Sequence, residues 1–374
     1  MKHLTFFIIL LLPISIFAQL SVSGYATQQL GLESNPLRNP ASLLDNNGNP
    51  LDTLDLAPTT FSSYSRLYVK SVYKWDKASF TIKPRLTYRY YPAYDVANYF
   101  KADINQQFMY KPNKKWKFYQ SFLFRSSQRQ GAEQIEDLFS IPRSYNRYRL
   151  GIEAVYKLNR YWYFNTGVAG LSNQFQTEED QINYYRALEA TAGVKRKFKK
   201  GNKLRQITLD MSLQRRAWEI GTESEEEDEE DFNFTLMHYY NIAVSTELQL
   251  NDGWSWSPML RFNGRKSENA KQNWHSFTLG SDLQWAKDKW LVKWQSRIYN
   301  RSFPNLIPLQ EVLTPLEYVY FRNMLTVEYQ ATDYLALMAT IQDLRRTSTF
   351  ENEQRIPFRA YQNTYFGFGV KISF

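Results

Sequence analysis

A closed antiparallel β-barrel of sixteen membrane-spanning strands is the fold predicted for this 374-residue chain, and three observations carry it. The final run, Tyr365 to Phe374, alternates throughout: Phe366, Phe368, Val370, Ile372 and Phe374 share one face, while Tyr365, Gly367, Gly369, Lys371 and Ser373 share the other. A strand's side chains repeat every second residue, so one face of this run meets lipid and the other a lumen. Aromatics make up 17% of the chain, with 27 Tyr and 25 Phe, yet its mean hydropathy is negative, as in a water-soluble protein. A barrel reconciles the two because lipid touches only alternate residues. A large soluble β-domain would share the alternation, but the length and density of the aromatic strands weigh against it.

The alternating segments run in order through 21–34, 59–74, 79–91, 98–110, 115–128, 144–158, 161–175, 181–198, 204–218, 232–250, 254–265, 273–285, 290–301, 316–329, 334–350 and 358–374. The first is the weakest, with Gln28-Gln29 at its centre. About 9 to 11 tilted residues cross the hydrocarbon, so the longer segments are expected to project beyond it.

The third observation lies between the strands, where tight and long connections alternate. The tight set comprises Trp75-Asp76-Lys77, Pro112-Asn113-Lys114, Asn159-Arg160, Lys200-Gly201-Asn202, Asn251-Asp252-Gly253, Lys287-Asp288-Lys289 and Ala331-Thr332-Asp333, rich in turn formers. The longer set includes 35–58, 129–143, 221–231 and 302–315. Alternation of this kind puts both termini at the end with the tight turns.

The start of the chain reads as an export signal over residues 1–19, leaving residues 20–374 as one barrel. Met1-Lys2-His3 precedes a run from Leu4 to Phe17 that is apolar but for Thr5 and Ser15, followed by Ala18-Gln19. That run falls short of the roughly 20 residues of a membrane helix. No Cys occurs, which excludes a lipidated Cys anchor, disulfides and thiol-ligated metal. With the terminal run and this signal, the chain resembles Gram-negative outer-membrane β-barrel proteins, and its aromatic, Lys-rich and Asn-rich style resembles those of Bacteroidota-like outer membranes. The resemblance implies an outer-membrane location with periplasmic termini, contact with lipid and lipopolysaccharide, and Phe374 read as a signal by the barrel assembly machinery.

Two faces can be read from the better strands. Phe80, Ile82, Leu86, Tyr88 and Tyr90 oppose Lys83, Arg85, Thr87 and Arg89, and Trp254, Trp256, Leu260 and Phe262 oppose Arg261, Asn263 and Arg265. An Arg or Lys at mid-depth on the lipid face costs roughly 2 to 4 kcal/mol, so the charges belong inside. The lumen is then lined by Arg85, Arg89, Arg149, Arg216, Arg261, Arg265, Lys293, Arg297 and Arg322, with Asp103, Glu153, Asp210, Glu247, Asp282 and Glu328 as carboxylate partners. Such a set either concentrates anions in a water-filled channel or pairs across the lumen to hold the wall together. Arg85 and Arg89 form the clearest basic ladder.

Trp75, Trp116, Trp162, Trp254, Trp285, Trp290 and Tyr334 sit near the tight turns and read as interfacial anchors. The basic stretches 111–117 and 195–203 read as too far apart to form a nucleic-acid groove. The acidic connection, with Glu223, Glu225, Glu226, Glu227, Asp228, Glu229, Glu230 and Asp231, is expected to be a solvated outer loop. It lacks EF-hand spacing, and loosely held Ca²⁺ or Mg²⁺ is the only cofactor expected of it. Only His238 and His275 remain after the signal, neither in a setting that prepares a base, so no enzyme is expected. No segment is long enough for a separate plug domain. The expected function is a passive channel for small polar solutes with a mild anion preference; the alternative is a closed barrel serving as an accessory subunit of a larger envelope complex.

Overall fold

The computed structural model describes residues 19–36, 59–94, 97–129, 132–133, 141–142, 144–175, 181–199, 201–222, 233–251, 253–306, 315–349 and 360–374. The export-signal run and the acidic connection 223–231 lie outside them. The barrel strands are β1 (Gln19–Glu33), β2 (Thr60–Lys74), β3 (Ala78–Tyr90), β4 (Tyr99–Tyr110), β5 (Trp116–Arg129), β8 (Tyr145–Lys157), β9 (Trp162–Phe175), β10 (Gln181–Lys197), β11 (Leu204–Thr222), β12 (Asn233–Asn251), β13 (Trp254–Ser267), β14 (Trp274–Lys287), β15 (Trp290–Phe303), β16 (Leu316–Gln330), β17 (Leu335–Ser348) and β18 (Tyr361–Ser373). These sixteen close into one antiparallel barrel, each strand beside its chain neighbour and β1 beside β18. Between β5 and β8, the two-residue strands β6 (Ala132–Glu133) and β7 (Ile141–Pro142) pair only with each other. No plug domain occurs among the described residues.

The sixteen expected segments match the sixteen barrel strands, with shifted ends. The segment expected at 204–218 extends to Thr222, because β11 stays paired with β10 as far as Gln181 opposite Thr222. Gln19 opens β1 opposite Lys74, so the wall includes a residue assigned by sequence to the signal.

Side chains and backbone conformation shape the tight turns. The Asn113 side-chain oxygen accepts from the backbone N–H groups of Lys115 (2.8 Å) and Trp116 (3.0 Å), and Asn159 does the same for Tyr161 and Trp162. Gly253 takes φ +85°, a conformation that favours glycine.

The seam between first and last strands is the barrel's critical ladder, since an unclosed barrel would leave two edges of unpaired backbone groups. It runs from Tyr25 opposite Ser373 to Glu33 opposite Tyr365, and Phe374 extends it by exchanging bonds of 2.8 and 3.0 Å with Gly24. Gly369 permits this approach: a Cβ there would collide with the Gln28 carbonyl.

Outside, the wall is apolar. Leu150, Ile152, Leu188, Leu213, Phe277 and Phe368 are each more than half exposed, whereas the inward positions carry polar and charged groups. A surface of this kind is favourable against hydrocarbon and costly against water. Aromatic pairs rim it at the tight-turn end, including Trp116 with Tyr156 (4.7 Å between ring centres), Trp254 with Trp285 (6.1 Å) and Trp290 with Tyr329 (4.7 Å).

Replacing Gly369 by Val is expected to wedge the seam. In detergent, the folded band on a heat-modifiability gel should convert to the unfolded position at a clearly lower temperature than for wild type, and an unchanged transition would contradict the seam geometry.

Candidate functional site

The lumen gathers the charged side chains. Register places Arg85, Arg89, Arg149, Glu153, Asp210, Arg261, Lys293, Arg297, Arg322 and Glu328 on the inward face. Alternation does this locally, because each follows its strand's outward apolar residues by one position.

Most of these groups are paired. Asp103 accepts from Arg85 Nε (2.8 Å) and Arg125 Nε (2.5 Å), so two guanidiniums share one carboxylate. Glu328 stands between Lys371 Nζ (2.8 Å) and Lys293 Nζ (3.9 Å). Arg297 donates to Asp282 at 2.8 Å, and Arg149 reaches Glu189 at 3.3 Å. Arg89 donates to Glu33 at 3.0 Å, and Glu33 also accepts from the Tyr91 hydroxyl (2.6 Å) and Asn363 Nδ2 (2.7 Å). Glu33, with its side chain 5% exposed, therefore ties β1 to β3 and β18 at the long-connection end. Sequence reading missed it, and also missed Arg125 and Glu189, although inward parity would have found all three. Arg85 and Arg89 are a ladder locked to carboxylates rather than a bare basic one.

Cations still dominate the inner surface. Arg66, Lys83, Lys101 and Arg261 are in no ion pair among the described residues, and Arg66, Lys101 and Arg322 line a cavity of about 850 Å³. A second cavity, of about 660 Å³, opens at the tight-turn end. Lys111, Lys114, Lys115, Lys117, Lys157, Lys195 and Lys197 surround it, with Glu153 and Asp210 as its carboxylates. This corrects the expectation that the basic stretches 111–117 and 195–203 lie far apart, because residues of both line this one cavity. The strands between them, β5 and β8 to β10, curve with the wall and bring the two stretches around one mouth.

Arg265 is the other correction. It points inward but is only 2% exposed and donates from Nε to the Gln272 carbonyl at 2.7 Å, so it packs the wall instead of lining a solute path. The Ala270–Gln272 3-10 turn supplies that carbonyl. Near it stands a feature unrecognised in sequence, a row of guanidiniums packed on inward aromatic faces. Arg301 lies 4.0 Å from the Trp274 ring centre, Arg216 lies 4.1 Å from Tyr239 and 4.2 Å from Tyr185, and Arg346 lies 4.8 Å from Tyr361. The planar, delocalised guanidinium stacks closely on these faces, so this part of the wall is structural. No group of His, Asp or Glu placed to hold a metal occurs among the described residues.

No protein-family model matches the chain, and no curated protein matches it. Solved structures similar to it include a loop L8 deletion mutant of OmpT, an outer membrane protein of Vibrio cholerae, at 13% identity over 96% of this chain and 99% of that one (TM-score 0.49). The outer membrane channel DcaP of Acinetobacter baumannii is similar at 10% identity over 96% and 98% (TM-score 0.49), and OccAB1 of the same organism at 10% over 95% and 96% (TM-score 0.49). The barrel assignment rests on the strand pairing itself.

Glu33→Ala should strand the Arg89 guanidinium in a buried setting and cost about 3 to 5 kcal/mol, whereas Glu33→Ala with Arg89→Ala should cost less than the two single changes combined. Unfolding in urea measures this cycle, and strict additivity would show that the pair is not coupled.

Proposed function

We propose that this chain is an outer-membrane barrel that conducts small polar solutes passively, with a preference for anions. The carrying observation is the lysine-ringed cavity at the tight-turn mouth, whose seven amino groups face two carboxylates and form no ion pair among the described residues. Fixed charge of one sign in a low-dielectric mouth raises the local concentration of solutes of the opposite sign. The paired Arg–carboxylate groups deeper in the lumen hold the wall while contributing a weaker net positive field, since Asp103 and Glu328 each neutralise one of two cations. Passage needs no catalytic group, and His238 and His275 both stand on the outward face.

One observation favours the accessory-subunit reading. On the outward face, where lipid would be expected, Gln28 donates to Ser63 Oγ at 2.8 Å and accepts from Ser65 Oγ, a polar cluster that a protein neighbour would cover more favourably than hydrocarbon. Co-purification of a stoichiometric large envelope protein, with a silent pore, would favour that reading.

Two experiments test the proposal. In liposome swelling, wild-type protein should pass small organic anions faster than neutral solutes of equal size, and Lys111→Ser, Lys115→Ser and Lys195→Ser combined should remove most of that advantage while neutral flux persists. Unchanged preference would separate the mouth from selectivity. On whole cells, an epitope inserted within 223–231 should be accessible and one at Asn113 hidden until the envelope is opened; the reverse would overturn the orientation.

A further inference from the structure

The outward face is apolar over most of the barrel, but one sector carries basic side chains at a fixed height. Arg215 on β11, His238 on β12 and Lys266 on β13 are direct cross-strand neighbours, Arg215 opposite His238 and His238 opposite Lys266. All three are exposed and point outward, as do Arg186 on β10 and His275 on β14 beside them. None takes part in an ion pair among the described residues.

Height identifies the ligand class. Trp254 marks the tight-turn end of the outward face of β13 and Lys266 the other, a rise of roughly 30 Å for a strand tilted about 40°. An outer-membrane barrel's apolar band is about 25 Å tall. The row therefore stands just beyond the band, above Phe262, Phe277 and Leu213, at the level of lipid headgroups in the leaflet away from the tight turns.

Its composition also calls for an anion. Arg215 and Lys266 flank His238 from the two neighbouring strands, two fixed positive charges on one patch with a further imidazole donor between them. The nearby carboxylates, Glu219 on β11 opposite Tyr184 and Phe234 and Glu268 just past the end of β13, form no ion pair with the row among the described residues. Elsewhere on the outward wall the comparable Arg345 is neutralised within the protein, donating to Asp343 at 2.8 Å. The difference marks the β11–β13 row as built for an external negative group.

We propose that Arg215, His238 and Lys266 form a binding site for the phosphate-bearing headgroup of an outer-leaflet glycolipid of the lipid A type. The site spans three strands, matching a headgroup whose phosphates are held apart on a sugar scaffold, while the apolar residues below it receive the acyl chains. The inference rests on the membrane-spanning orientation proposed above but not on conduction, and the test uses purified protein so that the two can fail separately.

Native mass spectrometry of protein exchanged into detergent with diphosphorylated lipid A should show a retained adduct. Arg215→Gln with Lys266→Gln should weaken its retention roughly ten- to thirty-fold. Arg345→Gln should leave it unchanged, and all forms should keep the heat-modifiable folded band. Phosphatidylglycerol at equal concentration should fail to displace the adduct. Equal retention by the double variant, or equal competition by phosphatidylglycerol, would overturn the proposal, the latter by reducing the row to general attraction for anionic lipid.

Discussion

Closure of the β1–β18 seam is the constraint on which the rest of the structure depends. A sheet of sixteen strands in hydrocarbon can leave no edge, because each unsatisfied backbone group there costs several kcal/mol. Closure fixes register, register fixes parity, and parity decides which side chains meet lipid and which meet the lumen. The seam is secured at both ends: Phe374 pairs with Gly24 near the termini, and Glu33 gathers Arg89, Tyr91 and Asn363 at the long-connection end. A one-residue slip would turn Arg89 and Lys371 outward and Phe366 inward.

With parity fixed, the inner surface divides by chemistry. Most Arg guanidiniums lie on aromatic faces or pair with carboxylates, and only the carboxylate pairs offset their charge. Lysines at the tight-turn mouth form no ion pair among the described residues, and Lys197 lies 5.2 Å from the Tyr163 ring centre. The division follows from side-chain physics: guanidinium stacks and forks, whereas ammonium is a hydrated point charge that stays exposed to water.

Much of this was legible in the sequence, because the period of two is strong where one face meets lipid. Phe80 to Tyr90 and Trp254 to Phe262 alternate cleanly, and the turn residues Asn113, Asn159 and Gly253 mark the hairpins. The far end of β11 was not legible, since the strand continues to Thr222 where nothing in composition signals a stop, whereas β12 lies within one residue of the expected 232–250. Pairing partners were less legible still. Glu33 lies at the end of the weakest segment; it reaches Arg89 across β2, and its bond from Asn363 depends on barrel closure between residues distant in sequence. The lysine mouth was hidden because 111–117 and 195–197 meet around one cavity only through the curvature of the wall across β5 and β8 to β10.

The most direct measurement of the account is the reversal potential of single channels in a planar bilayer under a KCl gradient at low total salt. Fixed lysines at one mouth predict displacement toward the chloride equilibrium potential, shrinking as salt rises and the Debye length falls from about 30 Å at 0.01 M to about 3 Å at 1 M. Cation selectivity, or no conductance from folded protein, would contradict it.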